Sequence, residues 1–142
     1  MKDARAIAVI QKVMARAKWQ PRGGINPAGS SAAAAGGDVV RGRGISYLRY
    51  SNNNTYVAAV AEVAVNRKTG EIKVERVCIA HDCGLVVNPD GTINQIEGGT
   101  IQTVSRTLME AVRWDRREVL SRDWATYPIL RHDQVPRVEV DL

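Results

Sequence analysis

Cysteine, histidine and lysine are scarce in this chain, and no apolar run is long enough to cross a membrane. Two cysteines in 142 residues cannot make a disulfide framework, and a domain of this size does not need one. They read as thiols, which fits a reducing compartment. The first 19 residues, MKDARAIAVIQKVMARAKW, carry charge throughout. They have neither the apolar stretch nor the small-residue cleavage site of a secretory signal. Only five of the 20 basic residues are lysine and the rest are arginine, with a net charge of +5. Arginine pairs bidentately with carboxylate and phosphate, which suits a nucleic acid, an anionic cofactor or a protein partner. The arginines are spread from Arg5 to Arg137, and no zinc-finger or RNA-recognition signature accompanies them. Neither a nucleic-acid nor a membrane partner is expected. A basic nucleic-acid module stays as a rival that a salt titration of DNA affinity would test.

What is present is enough for one core: 44% of the residues are hydrophobic. Asp3 can cap a helix running to about Lys18, with Ile7, Ile10, Met14 and Ala17 on one face and Val9 and Val13 beside them. Residues 1–20 are therefore expected to be an N-terminal helix. Residues 21–43 contain PRGGINPAGSSAAAAGGDVV and read as a Gly/Ala/Ser-rich loop or linker. Gly42 and Gly44 form a GxG pair, but with no preceding strand and no third glycine it is no dinucleotide fingerprint.

Residues 44–142 have a different texture. ISYLRYS reads as a strand and Asn52 to Asn54 as a tight connection. TYVAAVAEVAV reads as a strand covered on both faces, and NRKTGE as a hairpin turn with Gly70 at positive φ. IKVERVCIA returns as the partner strand, with a slip in alternation between Val74 and Val77 that predicts a bulge. Asn88-Pro89-Asp90 is a helix start, and Ile93, Ile96, Ile101, Val104, Leu108 and Val112 predict a helix from about Thr92 to Arg113. A short extended piece at Tyr127 to Leu130 and a last strand at Val138 to Leu142 follow. The predicted fold class is α+β: a small, mainly antiparallel sheet packed against one long helix and an N-terminal helix.

The stretch CIAHDCGLVVNPDGTINQIEGG holds both cysteines and His81. Structural zinc needs four ligands, whereas Cys78 would point away from His81 and Cys83 along a strand. No metal site is expected. Thiol–imidazole catalysis fares no better, because neighbours on a strand rarely reach each other. Asp82 is expected to cap a turn, and Glu62 and Glu110 to find an arginine or solvent. No catalytic residue is assigned.

The helix entrance NQIEGG is more informative. Gly98 and Gly99 inside a helix cost roughly 2 kcal/mol relative to alanine, so a close approach of backbone or ligand should offset them. Gln95 carries a planar amide suited to the edge of a heterocycle, and helix N-termini favour anionic groups. A glutamine on an exposed helix face is the plain alternative.

The run of Asp82-Cys83-Gly84, Asn88-Pro89 and Gln95-Ile96-Glu97-Gly98 in this order resembles the C-terminal part of the molybdopterin-binding large subunit of the xanthine dehydrogenase/aldehyde oxidase family. Within that family the chain resembles the isoquinoline oxidoreductase beta-subunit type. SRTLMEAVRWD and DWATYPILRHDQVPRVEV extend the resemblance, which covers about Arg41 to Leu142 well and the first helix loosely.

The resemblance implies an oxidoreductase that hydroxylates an aldehyde or N-heterocycle with oxygen from water. It implies molybdopterin cytosine dinucleotide carrying Mo, an iron–sulfur small subunit as partner, and the remainder of the large subunit. It places Gln95 on the pterin, with Gly98 and Gly99 easing the backbone toward it and Gln102 matching a second family glutamine. Thr103 stands where the family usually has glycine, and GINPAGSSAAAAGGDV is longer than the usual connection. The last strand stops on an apolar residue, and the family's catalytic glutamate lies beyond it. The chain is therefore expected to be a fragment of a larger molybdenum-binding domain, inactive alone, with a non-catalytic scaffold as the alternative. A cytoplasmic location is expected, or a periplasmic one for the parent enzyme.

Overall fold

The computed structural model describes residues 3–21, 37–51 and 54–142. The central part of the expected linker and two residues of the Asn52–Asn54 connection lie outside the described residues. Helix α1 spans Ala4–Arg16, followed by strands β1 (Val39–Tyr50), β2 (Thr55–Asn66) and β3 (Ile72–Asp82), helix α2 (Pro89–Leu108) and strand β4 (Arg137–Asp141). The sheet order is β1-β2-β3-β4. The first three strands form an antiparallel meander, and β4 joins β3 in parallel after the chain crosses over through α2.

Asp3 starts α1 by accepting the amides of Arg5 at 3.0 Å and Ala6 at 3.3 Å. The buried face is Ala6, Val9, Val13 and Ala17. Ala17 of the expected face and its neighbours Val9 and Val13 are buried, but the Ile7–Ile10–Met14 part of that face lies to one side, and Ile7 stays 36% exposed. The reason is the partner surface. α1 lies on β2 and β3, where Ala58, Val60, Cys78 and Ala80 are completely buried beside Tyr56. Small residues on both sides let the helix sit close to the strands, so the alanines are drawn inward and the larger Ile7 stays at the rim.

β1 begins at Val39, earlier than the Ile45 start suggested by the sequence. Gly42 and Gly44 break the apolar alternation but pair in register with Val63 and Ala61. They lie inside a strand, not at a strand-to-helix turn. β2 is buried on the α1 side, whereas Val57, Ala59, Ala61, Val63 and Val65 opposite are half-buried; the expectation of two covered faces is corrected. The β2–β3 turn has Gly70 at φ 75°. The predicted bulge is present: Glu62 faces Arg76 and Val63 faces Val74, so Glu75 is the extra residue.

α2 touches the sheet through β4, where Val104 and Ser105 are its buried residues. It ends at Leu108 and not near Arg113. The Ser105 hydroxyl donates to Glu110, the Tyr127 hydroxyl donates to the same carboxylate at 2.9 Å, and Leu130 N donates to Ser105 Oγ at 3.0 Å. These bonds turn the chain off the helical path although apolar periodicity continues to Val112. Glu110 thus finds hydroxyls rather than the arginine or solvent expected for it, and they hold its carboxyl below the usual range. Glu62 has its arginines, Arg76 at 3.5 Å and Arg43 at 3.9 Å. At Tyr127 to Leu130 there is no strand.

Candidate functional site

α2 is set by its first residues. Asn88 is the N-cap, its Oδ1 accepting from Gly91 N at 3.0 Å, and Pro89 opens the helix where a missing amide costs nothing. Asp90 adds a negative charge in the first turn, at the positive end of the dipole.

From this start Gln95, Gly98, Gly99 and Gln102 fall at i, i+3, i+4 and i+7, one stripe along the helix. All four are exposed. A β-carbon built at Gly98 or Gly99 would meet nothing within 4 Å, so no backbone of the described residues approaches the pair. The close approach expected there is not made by the described residues. Gln102 continues into Arg106, whose guanidinium donates to its side-chain oxygen at 3.3 Å. Thr103, on the flank, donates its hydroxyl to the Gly99 carbonyl at 2.8 Å. Its polar atom is thereby satisfied within the helix. The surface carries two primary amides at its ends and backbone uncovered between them. The stripe is one wall rather than an enclosed pocket.

The other residues of interest are not gathered on that wall. Cys78 is buried, its thiol 3.9 Å from the Glu139 carboxylate, and burial pushes that thiol up. His81 and Cys83 are half-buried, and burial lowers the imidazole's pKa. Among the described residues no group of three His, Cys, Asp or Glu side chains is placed to hold a metal. Several arginines are committed to carboxylates within the fold, among them Arg16 to Asp141, Arg41 to Glu75 and Arg76 to Glu139.

Asp82 caps the turn expected of it, accepting Gly84 N at 3.0 Å. It also accepts both arms of Arg5, a partner 77 positions away that no local pattern could reveal. The Arg5 guanidinium, helped by the Gly84 amide, holds the Asp82 carboxyl at about 2, against 3.8 ordinarily. A lowered carboxylate adds stability that is complete above the unfolded value and is lost as pH falls through the folded one. Between about pH 4 and about pH 2 the urea midpoint of Asp82→Asn is therefore expected to fall less than that of the wild-type chain. Equal slopes would remove the ion pair from the acid response.

Residues 9–136 match the family description of a molybdopterin cofactor-binding domain. Over 146 aligned residues the chain is 42% identical to the B chain of nicotinate dehydrogenase from Pseudomonas putida, covering 99% of this chain and 12% of that protein. The beta chain of isoquinoline 1-oxidoreductase from Brevundimonas diminuta is 38% identical over 138 residues, covering 97% of this chain and 16% of that one. The solved structure of quinoline 2-oxidoreductase from Pseudomonas putida 86 matches with a TM-score of 0.59 at 26% identity, over 61% of this chain and 11% of that chain. The chain thus spans only a small part of each relative. The match along nearly its whole length, on the α+β frame just described, shows that it belongs to the molybdopterin cofactor-binding domains of the xanthine dehydrogenase and aldehyde oxidase family.

Proposed function

We propose that this chain forms one wall of the molybdopterin site of a molybdenum hydroxylase, with Gln95, Gly98, Gly99 and Gln102 facing the pterin. The observation that carries this reading is the α2 stripe, with its two amides and its unobstructed glycine pair. When bound, the cofactor supplies the redox chemistry that puts oxygen from water onto an aldehyde or N-heterocycle. The chain's own residues do something narrower. The Gln95 and Gln102 amides each offer donors and an acceptor in one plane, and can read the hydrogen-bonding edge of a flat heterocycle. The glycines let that heterocycle lie against backbone. No residue of the stripe is equipped to move a proton in the reaction.

The names of the relatives, a nicotinate dehydrogenase, an isoquinoline oxidoreductase and a quinoline oxidoreductase, favour an N-heterocyclic substrate. The cytosine dinucleotide form of the cofactor, an iron–sulfur small subunit and the rest of a large subunit complete the proposed assembly. Exposed Leu85 and Val87, 91% and 88% accessible, support burial of the β3–α2 loop by such a neighbour. Alone, the chain is expected to turn over no substrate.

The test is cofactor content in the intact enzyme, produced with the regions that flank this chain in its relatives. One amide's hydrogen bonds are worth about 1 kcal/mol, so Gln95→Ala should weaken molybdopterin retention about fivefold, read as Mo and released pterin per protein. Unchanged content removes Gln95 from the site. Wild-type assembly that contains neither Mo nor pterin favours the scaffold reading instead.

A further inference from the structure

The turn from β3 into α2 is fastened to the start of α1. Arg5 Nε donates to Asp82 Oδ2 at 2.7 Å, and Nη2 donates to Oδ1 at 2.7 Å. This is the paired, two-pronged geometry in which a guanidinium fixes direction as well as charge. The Arg5 guanidinium lies 4.3 Å from the centre of the Tyr56 ring, and Tyr56 is 2% exposed. The Tyr56 hydroxyl donates at 2.8 Å to Asp3, the residue that caps α1. Arg5 is therefore oriented from behind by a buried ring and a helix cap. In front, the same Asp82 carboxylate receives the Gly84 amide at 3.0 Å, where Gly84 takes φ 82° to leave the strand. A short way on, Asn88 caps α2.

We propose that Arg5, acting through Asp82, is a positioning residue for the α2 stripe: it fixes the Asp82–Gly84 turn and hence the direction in which Gln95 is presented. The proposal rests on the reading of that stripe as a cofactor wall. The role assigned to Arg5 is to make the docking of α1 and the launch of α2 a single arrangement.

The two cysteines report on it. Cys83 lies next to Asp82 and is half-buried, whereas Cys78 is fully buried and serves as the internal control. Arg5→Met keeps an apolar stem over Tyr56 and removes the fork; Arg5→Lys restores the charge without it. Asp82→Asn keeps an acceptor for Gly84. In the 142-residue chain, Arg5→Met and Asp82→Asn should each raise the rate of Cys83 labelling by a disulfide reagent about fivefold, with Cys78 still protected. Combining them should add little, and Arg5→Lys should recover part of the effect. In the intact enzyme Arg5→Met should lower molybdopterin content although Gln95 is present. Unchanged Cys83 labelling overturns the clamp, whatever the cofactor result. Labelling of Cys78 at the same raised rate means that the whole chain opens, and overturns it too. Faster Cys83 labelling with unchanged molybdopterin content overturns the positioning role. Gln95→Ala run alongside then shows whether the cofactor reading falls with it or stands by itself.

Discussion

Val13→Asp is expected to abolish the folded state, whereas Ile7→Asp, earlier on the same helix, is expected to be tolerated. Val13 is completely buried and belongs to the cluster formed with Tyr56, Ala58, Val60 and Cys78. A carboxylate placed there would lose its hydration and gain no partner, at a cost above about 4 kcal/mol. Against a total stability of about 5 kcal/mol, the lower end of the range for a domain, that is most of the margin. Ile7 is 36% exposed and sits at the end of the first turn. An acid there keeps its water and faces the favourable end of the helix dipole, so the change should stay within about 1 kcal/mol. Urea unfolding followed by helical circular dichroism separates the two. The reverse result would mean that α1 presents its isoleucine stripe, not its valine and alanine stripe, to the sheet.

The second large effect changes sign between two assays. Gly98→Ala with Gly99→Ala should stabilise helix α2 in the 142-residue chain by about 2 kcal/mol, because each glycine costs close to about 1 kcal/mol in a helix interior. Nothing among the described residues opposes the new methyl groups, since both β-carbons would enter open space. In the assembled enzyme the same pair should reduce molybdopterin content, because that space is where the cofactor is proposed to lie. Gain in one assay and loss in the other is the signature of glycines kept for a ligand. Stabilisation with full cofactor content would leave them without that role. Destabilisation of the chain would mean that another contact already fills the space.

Much of the sheet is legible in local pattern. The β2–β3 hairpin, the bulge at Glu75 and the Asn88-Pro89 helix start each depend on residues within a few positions of one another, so the sequence reveals them. The differences have the opposite origin. β1 looks short in the sequence because Gly42 and Gly44 have no side chains to show alternation, although their backbones pair normally. Part of the buried face of α1 is hidden because Ala6 weighs little in a hydrophobic pattern, yet a closely docked helix buries its small residues. α2 looks too long because Ser105, Glu110 and Tyr127 end it by a contact across 17 positions. At the site, the i, i+3, i+4, i+7 spacing of the stripe is visible in the sequence; its exposure enters only as an alternative, since Ile93 and Ile96 beside it suggest a packed helix. The pairing of Arg5 with Asp82 has no local signal at all, as nothing near either residue in the chain points to the other.

The turn that precedes α2 is held by Asp82, and the helix is moored near its end through Ser105. The span between them carries little of the fold's weight. Such a helix behaves like a plank resting on trestles, free to trade its upper surface without disturbing its supports. On the proposed reading of the stripe, stability and recognition are thereby written in different letters of one twenty-residue segment.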